Sequence, residues 1–473
     1  MKRPPTDALA IAALVTLALV VRGLFTGLAG LTHDEPFTVY WAHRPLAELF
    51  TQLRHENNPP LHFLLVKAVL PLAGTDATWL RMPSVVASGL TVWPLFLIGR
   101  ALAGRLTGFV AALLFVCSSY QQGFAHEVRA YPLFQLLAVT GVWQLTRLAQ
   151  AAPARPRGPV VLLALLNTVM VYTHFFGWLM LGVQALLVLL VPALRPARRG
   201  MAFGAAAAVL AYIPYGAVLF ERLDRSVAQG TWLTVPPFEE VYNMLWRWSN
   251  APVPTLLFLA AVVAVPMRRA GRGPVWAVGL LWGLLPLVGL WAVSQWVPVF
   301  LDRYLLFAAP GWSLLTAHAL LQVAPWRQAG WALAAVGVGA MALTFEPGRG
   351  PSGRPERVVA VAQAMGKGRA PVLLLPAWYA HTYAWQVDPA LFAHTGTWAQ
   401  ALAAHRIHPV DDPAHPPTVA TTADTLVLVD AGAHLVDPDR HLEHALTRRL
   451  GEPDVVEADR GVRVLRFRRS SAR

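Results

Sequence analysis

From residue 8 to residue 345, apolar runs follow one another with only short segments between them, and arginines cluster in those segments. The runs lie near 8–31, 83–99, 105–120, 131–149, 159–173, 175–194, 201–220, 253–266, 274–293, 304–323 and 329–345. A helix needs ~20 apolar residues to cross a bilayer, and several runs fall a little short of that. No single soluble core could take them all: 56% of the chain is hydrophobic and 14% is charged, against about 25% charged in ordinary soluble domains. The surplus must face lipid, where a helix satisfies its own backbone polar groups. The expectation is an all-α polytopic membrane protein with about eleven transmembrane helices. Leu61–Leu72 is too short to count among them and predicts a membrane-dipping or interfacial helix.

The net charge of +13 could suggest nucleic acid, but a nucleic-acid partner needs a continuous basic face. Here the basic residues sit between apolar runs, at Lys2-Arg3, Arg100/Arg105, Arg147/Arg155/Arg157, Arg195/Arg198/Arg199, Arg268/Arg269/Arg272 and Arg327. With the N-terminus in the cytoplasm and the spans alternating, every cluster lands on the cytoplasmic side, as the positive-inside rule requires. No small-residue cleavage site follows the first run, so it reads as a span and not a signal peptide. The single cysteine, Cys117, excludes an intrachain disulfide and reads as a small buried hydrophobe. Scarce lysine beside abundant Arg, Ala, Pro and Gly points to a GC-rich bacterial genome, and so to a multi-pass protein of a bacterial cytoplasmic membrane.

An odd number of spans puts the tail from about 346 outside the cytoplasm. The tail is Gly-Pro-Arg-rich at 347–355 and then amphipathic. Arg357–Met365 and Arg440–Leu450 read as helices; Val372–Leu375, Leu426–Asp430 and Val462–Arg468 read as strands. A small extracytoplasmic α/β domain at 346–473 is expected. There is no internal repeat, and no glycine loop follows a strand to bind a nucleotide.

The external side also collects loops 32–82, 121–130, 221–252 and 294–303, and with them the residues that could carry chemistry. Directly after the first run come Thr32-His33-Asp34-Glu35. The two carboxylates read either as an N-cap pair ahead of a helix at Pro36–Ala42 or as catalytic groups pointing different ways. Next come Glu56-Asn57-Asn58-Pro59-Pro60-Leu61-His62, where paired prolines fix the backbone at the interface. Lys67 lies inside an apolar run and reads equally as a snorkelling residue or a phosphate ligand. In His126-Glu127-Val128-Arg129-Ala130-Tyr131, an extended backbone would align Glu127, Arg129 and Tyr131 on one side. An arginine on the external face runs against the charge bias and suggests an anion, with a Glu127–Arg129 pair as the structural alternative. Asp302-Arg303-Tyr304 repeats the theme: Arg303 could hold a lipid phosphate or pair with Asp302. His174 sits in a short turn, as a hydrogen-bonded interfacial histidine or a ligand. Trp232 lies in a long loop, as a belt residue or a sugar contact.

In this order HDE, NNPPLH, RMPS at 81–84, HEVRAY, THFFG at 173–177, TWLTVPP at 231–237 and DRYLL at 302–306 resemble the bacterial protein-mannosyltransferase-like and aminoarabinose-transferase-like branch of the GT-C glycosyltransferases. The resemblance covers about residues 8–345. It implies a transmembrane transferase domain at 1–345, a polyprenyl-phosphate sugar as donor, and an extracytoplasmic protein, glycan or lipid as acceptor. Asp34 matches the family's loop-one catalytic aspartate, the general base of an inverting displacement, and Glu35 is its neighbour. Asn58, His62, Lys67, Glu127, Arg129, Tyr131, His174, Trp232, Arg303 and Tyr304 are then candidates for donor phosphate or substrate binding. Where the family motifs read HPPL and EARxY, this chain has Asn58 and Val128, which leaves open the sugar and any metal requirement. A divalent cation held by Asp34, Glu127 or His174 together with phosphate is one such option. A transporter or flippase of lipid-linked sugar is the rival function. Transporters place ionisable groups near the midplane and often carry repeats, whereas here such groups crowd one surface.

Overall fold

The computed structural model describes residues 5–56, 58–151, 157–228, 233–267, 273–350, 353–393 and 397–469. The chain divides into two compact units. The first comprises Met1–Thr26, Leu46–Leu65 and Arg81–Gly350; the second comprises Gly27–Pro45, Val66–Leu80 and Pro351–Arg473. The second unit is therefore more than the tail, since it takes in the segment bearing Asp34 and the one bearing Lys67.

The first unit is helical, and a helix occupies each of the eleven predicted runs. Among the described residues, three helices are long and apolar enough to cross a membrane, Ala77–Ala103, Pro192–Arg225 and Pro274–Val293, and a bent pair makes at most a fourth. The remaining helices are shorter or more polar, so the count of about eleven crossings is not established by length and composition. The first helix spans Pro5–Gly23 and stops well short of residue 31. The apolar stretch beyond it contains Gly27 and Gly30 and forms turns, because glycine adds backbone entropy that a helix must remove. Leu61–Ala73 is indeed helical.

Buried polar side chains gather at the bent pair. Arg105–Val116 and Ser119–Ala125 meet at 61°, and such a break frees backbone groups that lipid cannot satisfy. Asn250, in a left-handed conformation (φ 67°), donates its amide to the Cys117 carbonyl (2.7 Å) and the Met341 carbonyl (3.0 Å). Its Oδ1 accepts from the Ser119 N–H (2.8 Å). Arg22, fully buried, donates to the carbonyls of Phe115 (2.7 Å) and Val116 (3.1 Å), to Gln122 Oε1 (2.8 Å) and to Ser88 Oγ (3.1 Å). Asn250→Leu should take a hydrogen-bond partner from three backbone groups, at about 1–3 kcal/mol for each one left unpaired. A clearly lowered melting temperature in detergent is the expected readout. Elsewhere, small residues allow backbones to touch: a Cβ on Gly311 would lie 2.6 Å from the Gly283 nitrogen.

The second unit is built on a five-stranded sheet of order β2-β1-β3-β5-β4. Its strands are β1 Val372–Leu375, β2 Ile407–Pro409, β3 Thr425–Asp430, β4 Asp454–Asp459 and β5 Val462–Arg468. β1 runs parallel to β2 and β3; β5 is antiparallel to β3 and β4. β1 and β3 are near-continuous apolar runs and are buried along their length, as strands covered on both faces are. Leu442, Leu446 and Leu450 form one face of the helix His441–Leu450 and join Leu373, Leu428 and Phe467 in the core. β4 is largely exposed and carries Asp454 and Glu457, charges that suit an edge strand.

Candidate active site

In the second unit, the turn at 31–35 presents its two carboxylates differently. His33 has a positive φ of 48°, a conformation disfavoured for a residue with a Cβ. Asp34 follows at the N-cap of the helix Glu35–His43 but makes no side-chain cap hydrogen bond, so the capping reading fails. It is half-buried. Glu35 is only 1% exposed, and its Oε2 accepts from the Thr32 N–H (2.9 Å) while its own N–H donates to the Thr32 carbonyl (3.0 Å). Glu35 therefore braces the turn from inside, and Asp34 is the more accessible carboxylate.

Lys67 has backbone partners. Its ammonium donates to the carbonyls of Ala42 (3.1 Å) and Arg44 (2.8 Å), closing the C-terminal end of that same helix, where orphan carbonyls and the helix dipole both favour a cation. Lys67→Met should lower the melting temperature in detergent, since the Ala42 and Arg44 carbonyls lose this donor.

In the first unit, four distant segments converge. Arg129 is 7% exposed, and its guanidinium lies 5.8 Å from the centre of the Tyr131 ring. His174, 2% exposed, stacks on Phe134 at 5.3 Å and 8° and meets Tyr131 (5.3 Å) and Tyr304 (5.7 Å). Burial, reinforced by the positive Arg129, pushes His62 and His174 each down to about 3. Both histidines lie in interhelical turns or first turns, outside the spanning segments, and both are neutral at pH 7. Arg129 is thus a buried cation beside Tyr131, with His62 and His174 close enough to feel its charge.

Backbone anchors fix this group. The Arg129 N–H donates to the Glu127 carbonyl (2.9 Å), and Ser84 donates to the Arg129 carbonyl (3.3 Å). His126 is tied to the Arg22 carbonyl (2.9 Å) and to Gln122 (3.0 Å). Tyr120 donates to the Asp302 carbonyl (2.5 Å), and Asp302 Oδ1 accepts from the Arg303 N–H (2.7 Å). Residues 126–130 are turns and Tyr131 starts the helix Tyr131–Gln150. The expected extended alignment of Glu127, Arg129 and Tyr131 is therefore wrong. A turn running into a helix does the bringing together instead. Glu127, Arg303 and Asn58 are half-buried. Trp232 lies outside the described residues.

Sequence reasoning misses the buried supports. Arg22 stands inside the first apolar run and carries no motif, and Arg81, which donates to the Thr26 carbonyl (2.7 Å), enters only as part of one. A polar residue inside an apolar run is the signal that could have found them. Among the described residues, no group of three or more His, Cys, Asp or Glu is arranged to hold a metal ion.

The two histidines make a testable statement about pH. Their folded-state values lie below the ordinary 6.5, so the unfolded chain binds more protons between 6.5 and about 3. Stability is then complete above 6.5 and falls as pH drops through that window, by about 1.4 kcal/mol per pH unit for each histidine. Melting in detergent at pH 7.5 and 5.5 should show the loss, and His174→Gln should remove part of it.

Against solved structures, the chain matches the aminoarabinose transferase ArnT from Cupriavidus metallidurans. With undecaprenyl phosphate bound, the TM-score is 0.61 at 14% identity, over 98% of each chain. The apo form gives 0.60 at 15% identity over the same shares. The oligosaccharyltransferase AglB from Archaeoglobus fulgidus, with an inhibitory peptide and a dolichol-phosphate, gives 0.53 at 9% identity, over 90% of this chain and 70% of that one. Both neighbours are GT-C proteins. No protein-family model and no curated protein matches the sequence.

Proposed function

We propose, with the GT-C fold as premise, that this chain is a membrane glycosyltransferase taking a sugar from a polyprenyl-phosphate donor. The observation that carries the reading is the end-to-end likeness, 98% of both chains, to a transferase whose structure contains undecaprenyl phosphate. Asp34 is the general base: half-buried and not used as a cap, it draws the proton from the acceptor nucleophile as that atom attacks the anomeric carbon. One displacement inverts the centre. The carbon–oxygen bond to the phosphate breaks as the new bond forms, and the lipid phosphate leaves with its negative charge. Arg129 and Arg303 support that charge; His62, Tyr131, His174 and Tyr304 shape the surroundings of Arg129. The protein sits in a bacterial cytoplasmic membrane, and the acceptor is extracytoplasmic.

The test incubates purified protein with labelled polyprenyl-phosphate sugars and membrane extract. Label covalently attached to a protein, glycan or lipid supports the reading. Label that appears on the opposite leaflet with no new bond would replace it with a flippase.

A further inference from the structure

We infer that Thr382 and Gln386, in the C-terminal part of the chain, are positioning residues for Asp34. This deepens the proposed transferase function and rests on it. The helix Glu35–His43 has nine residues, fewer than the roughly 12–15 that an isolated helix needs to be stable in water. The turn before it holds His33 at a positive φ, which the turn's own residues disfavour. Its orientation, and with it the direction of the Asp34 carboxylate, must be imposed from outside.

The helix Ala380–Val387 imposes it. Thr382 Oγ1 donates to the His33 carbonyl (2.8 Å), and Gln386 Nε2 donates to the Leu31 carbonyl (2.7 Å). Four residues apart, they share one face of their helix and hold two alternate carbonyls of the approach to Asp34. Gly30 continues the contact: a Cβ there would meet Gln386 Oε1 at 3.4 Å. On the next turn of the short helix, Tyr40 packs against His381 at 4.7 Å, and His381 stacks on Trp398 at 5.5 Å and 14°. The Arg44 guanidinium covers Tyr40 at 4.4 Å and donates to the Phe392 carbonyl (3.4 Å). The backbone carbonyl of His33 is one peptide from Asp34, so losing its anchor tilts the carboxylate without touching it.

The sequence separation explains why no local motif announces this. Thr382 lies 349 residues beyond His33, and neither is unusual where it stands.

Thr382→Val keeps the side chain's branching and removes its hydroxyl; Thr382→Ser keeps the hydroxyl and removes the methyl. With a labelled polyprenyl-phosphate sugar, Thr382→Val should lower kcat about 10²-fold at unchanged donor KM, as a misplaced catalytic group does. Thr382→Ser should restore most of the rate. A second readout needs no activity: amide hydrogen exchange across residues 27–45 should quicken in Thr382→Val and not in Thr382→Ser. Wild-type kcat and exchange in Thr382→Val would overturn the positioning role and leave the transferase reading standing. Equal loss in both variants would also overturn it, since the hydroxyl would then not be the cause. A wild-type chain that transfers no sugar would sink the transferase reading, while exchange would still report on the anchor.

Discussion

Asp34→Asn should lower sugar transfer by about 10²–10⁴-fold, the share a positioned general base ordinarily contributes. The amide has nearly the shape of the carboxylate but cannot accept the acceptor's proton. Stability is followed separately, the Asp34 side chain making no cap bond to its helix. Initial rates on a polyprenyl-phosphate sugar, with melting temperatures measured in the same detergent, separate the two effects. Glu35→Ala should behave the other way: it removes the acceptor for the Thr32 N–H (2.9 Å), costs about 1–3 kcal/mol of stability, and lowers the rate only through that. If Glu35→Gln, which keeps a carbonyl oxygen for Thr32, lost as much transfer as Asp34→Asn, the two carboxylates would have to exchange roles.

The second large effect is expected at Arg129. Arg129→Met should reduce kcat/KM for the donor by about 10²–10³-fold, the cost of losing one oriented group that stabilises developing charge. Arg129→Lys should recover part of it, since an ammonium supplies the charge without the planar fork. The substitution has a second consequence that does not depend on activity. Arg129 holds His62 and His174 down by like-charge repulsion, in addition to their burial. Removing it lets both values rise, so Arg129→Met should lose less stability on acidification than the parent chain. Wild-type transfer by Arg129→Met would remove the leaving-phosphate role from this residue.

Much of the fold was legible because it obeys periodicity. Eleven apolar runs became helices, and the continuous runs Val372–Leu375 and Leu426–Asp430 and the alternating Val462–Arg468 became β1, β3 and β5. β2 and β4 were not read. β2 is three residues long, and β4 is an exposed edge whose charges hide its alternation. The end of the first helix was overrun because hydropathy does not register the two glycines beyond Gly23.

The site was legible in its residue types and not in its geometry. Asp34, Arg129, His174 and Tyr304 stood out as polar or aromatic groups at interfaces. Their surroundings depend on contacts between distant segments, which no local pattern encodes. Arg22 makes the point best: its partners lie 66 to 100 residues away, so in sequence it is merely a charge inside an apolar run. Lys67 reads in sequence equally as a snorkelling residue or a phosphate ligand, and in the structure its ammonium bonds the Ala42 and Arg44 carbonyls at the end of a short helix.

The most direct test of the account tracks the lipid product. Purified wild-type chain and Asp34→Asn, each supplied with the same labelled polyprenyl-phosphate sugar and acceptor-containing membrane extract, are compared for release of free polyprenyl phosphate together with formation of a new glycosidic bond. The account predicts matched release and bond formation by the wild type and neither by Asp34→Asn, with both proteins equally folded. Equal product from the two proteins would contradict it.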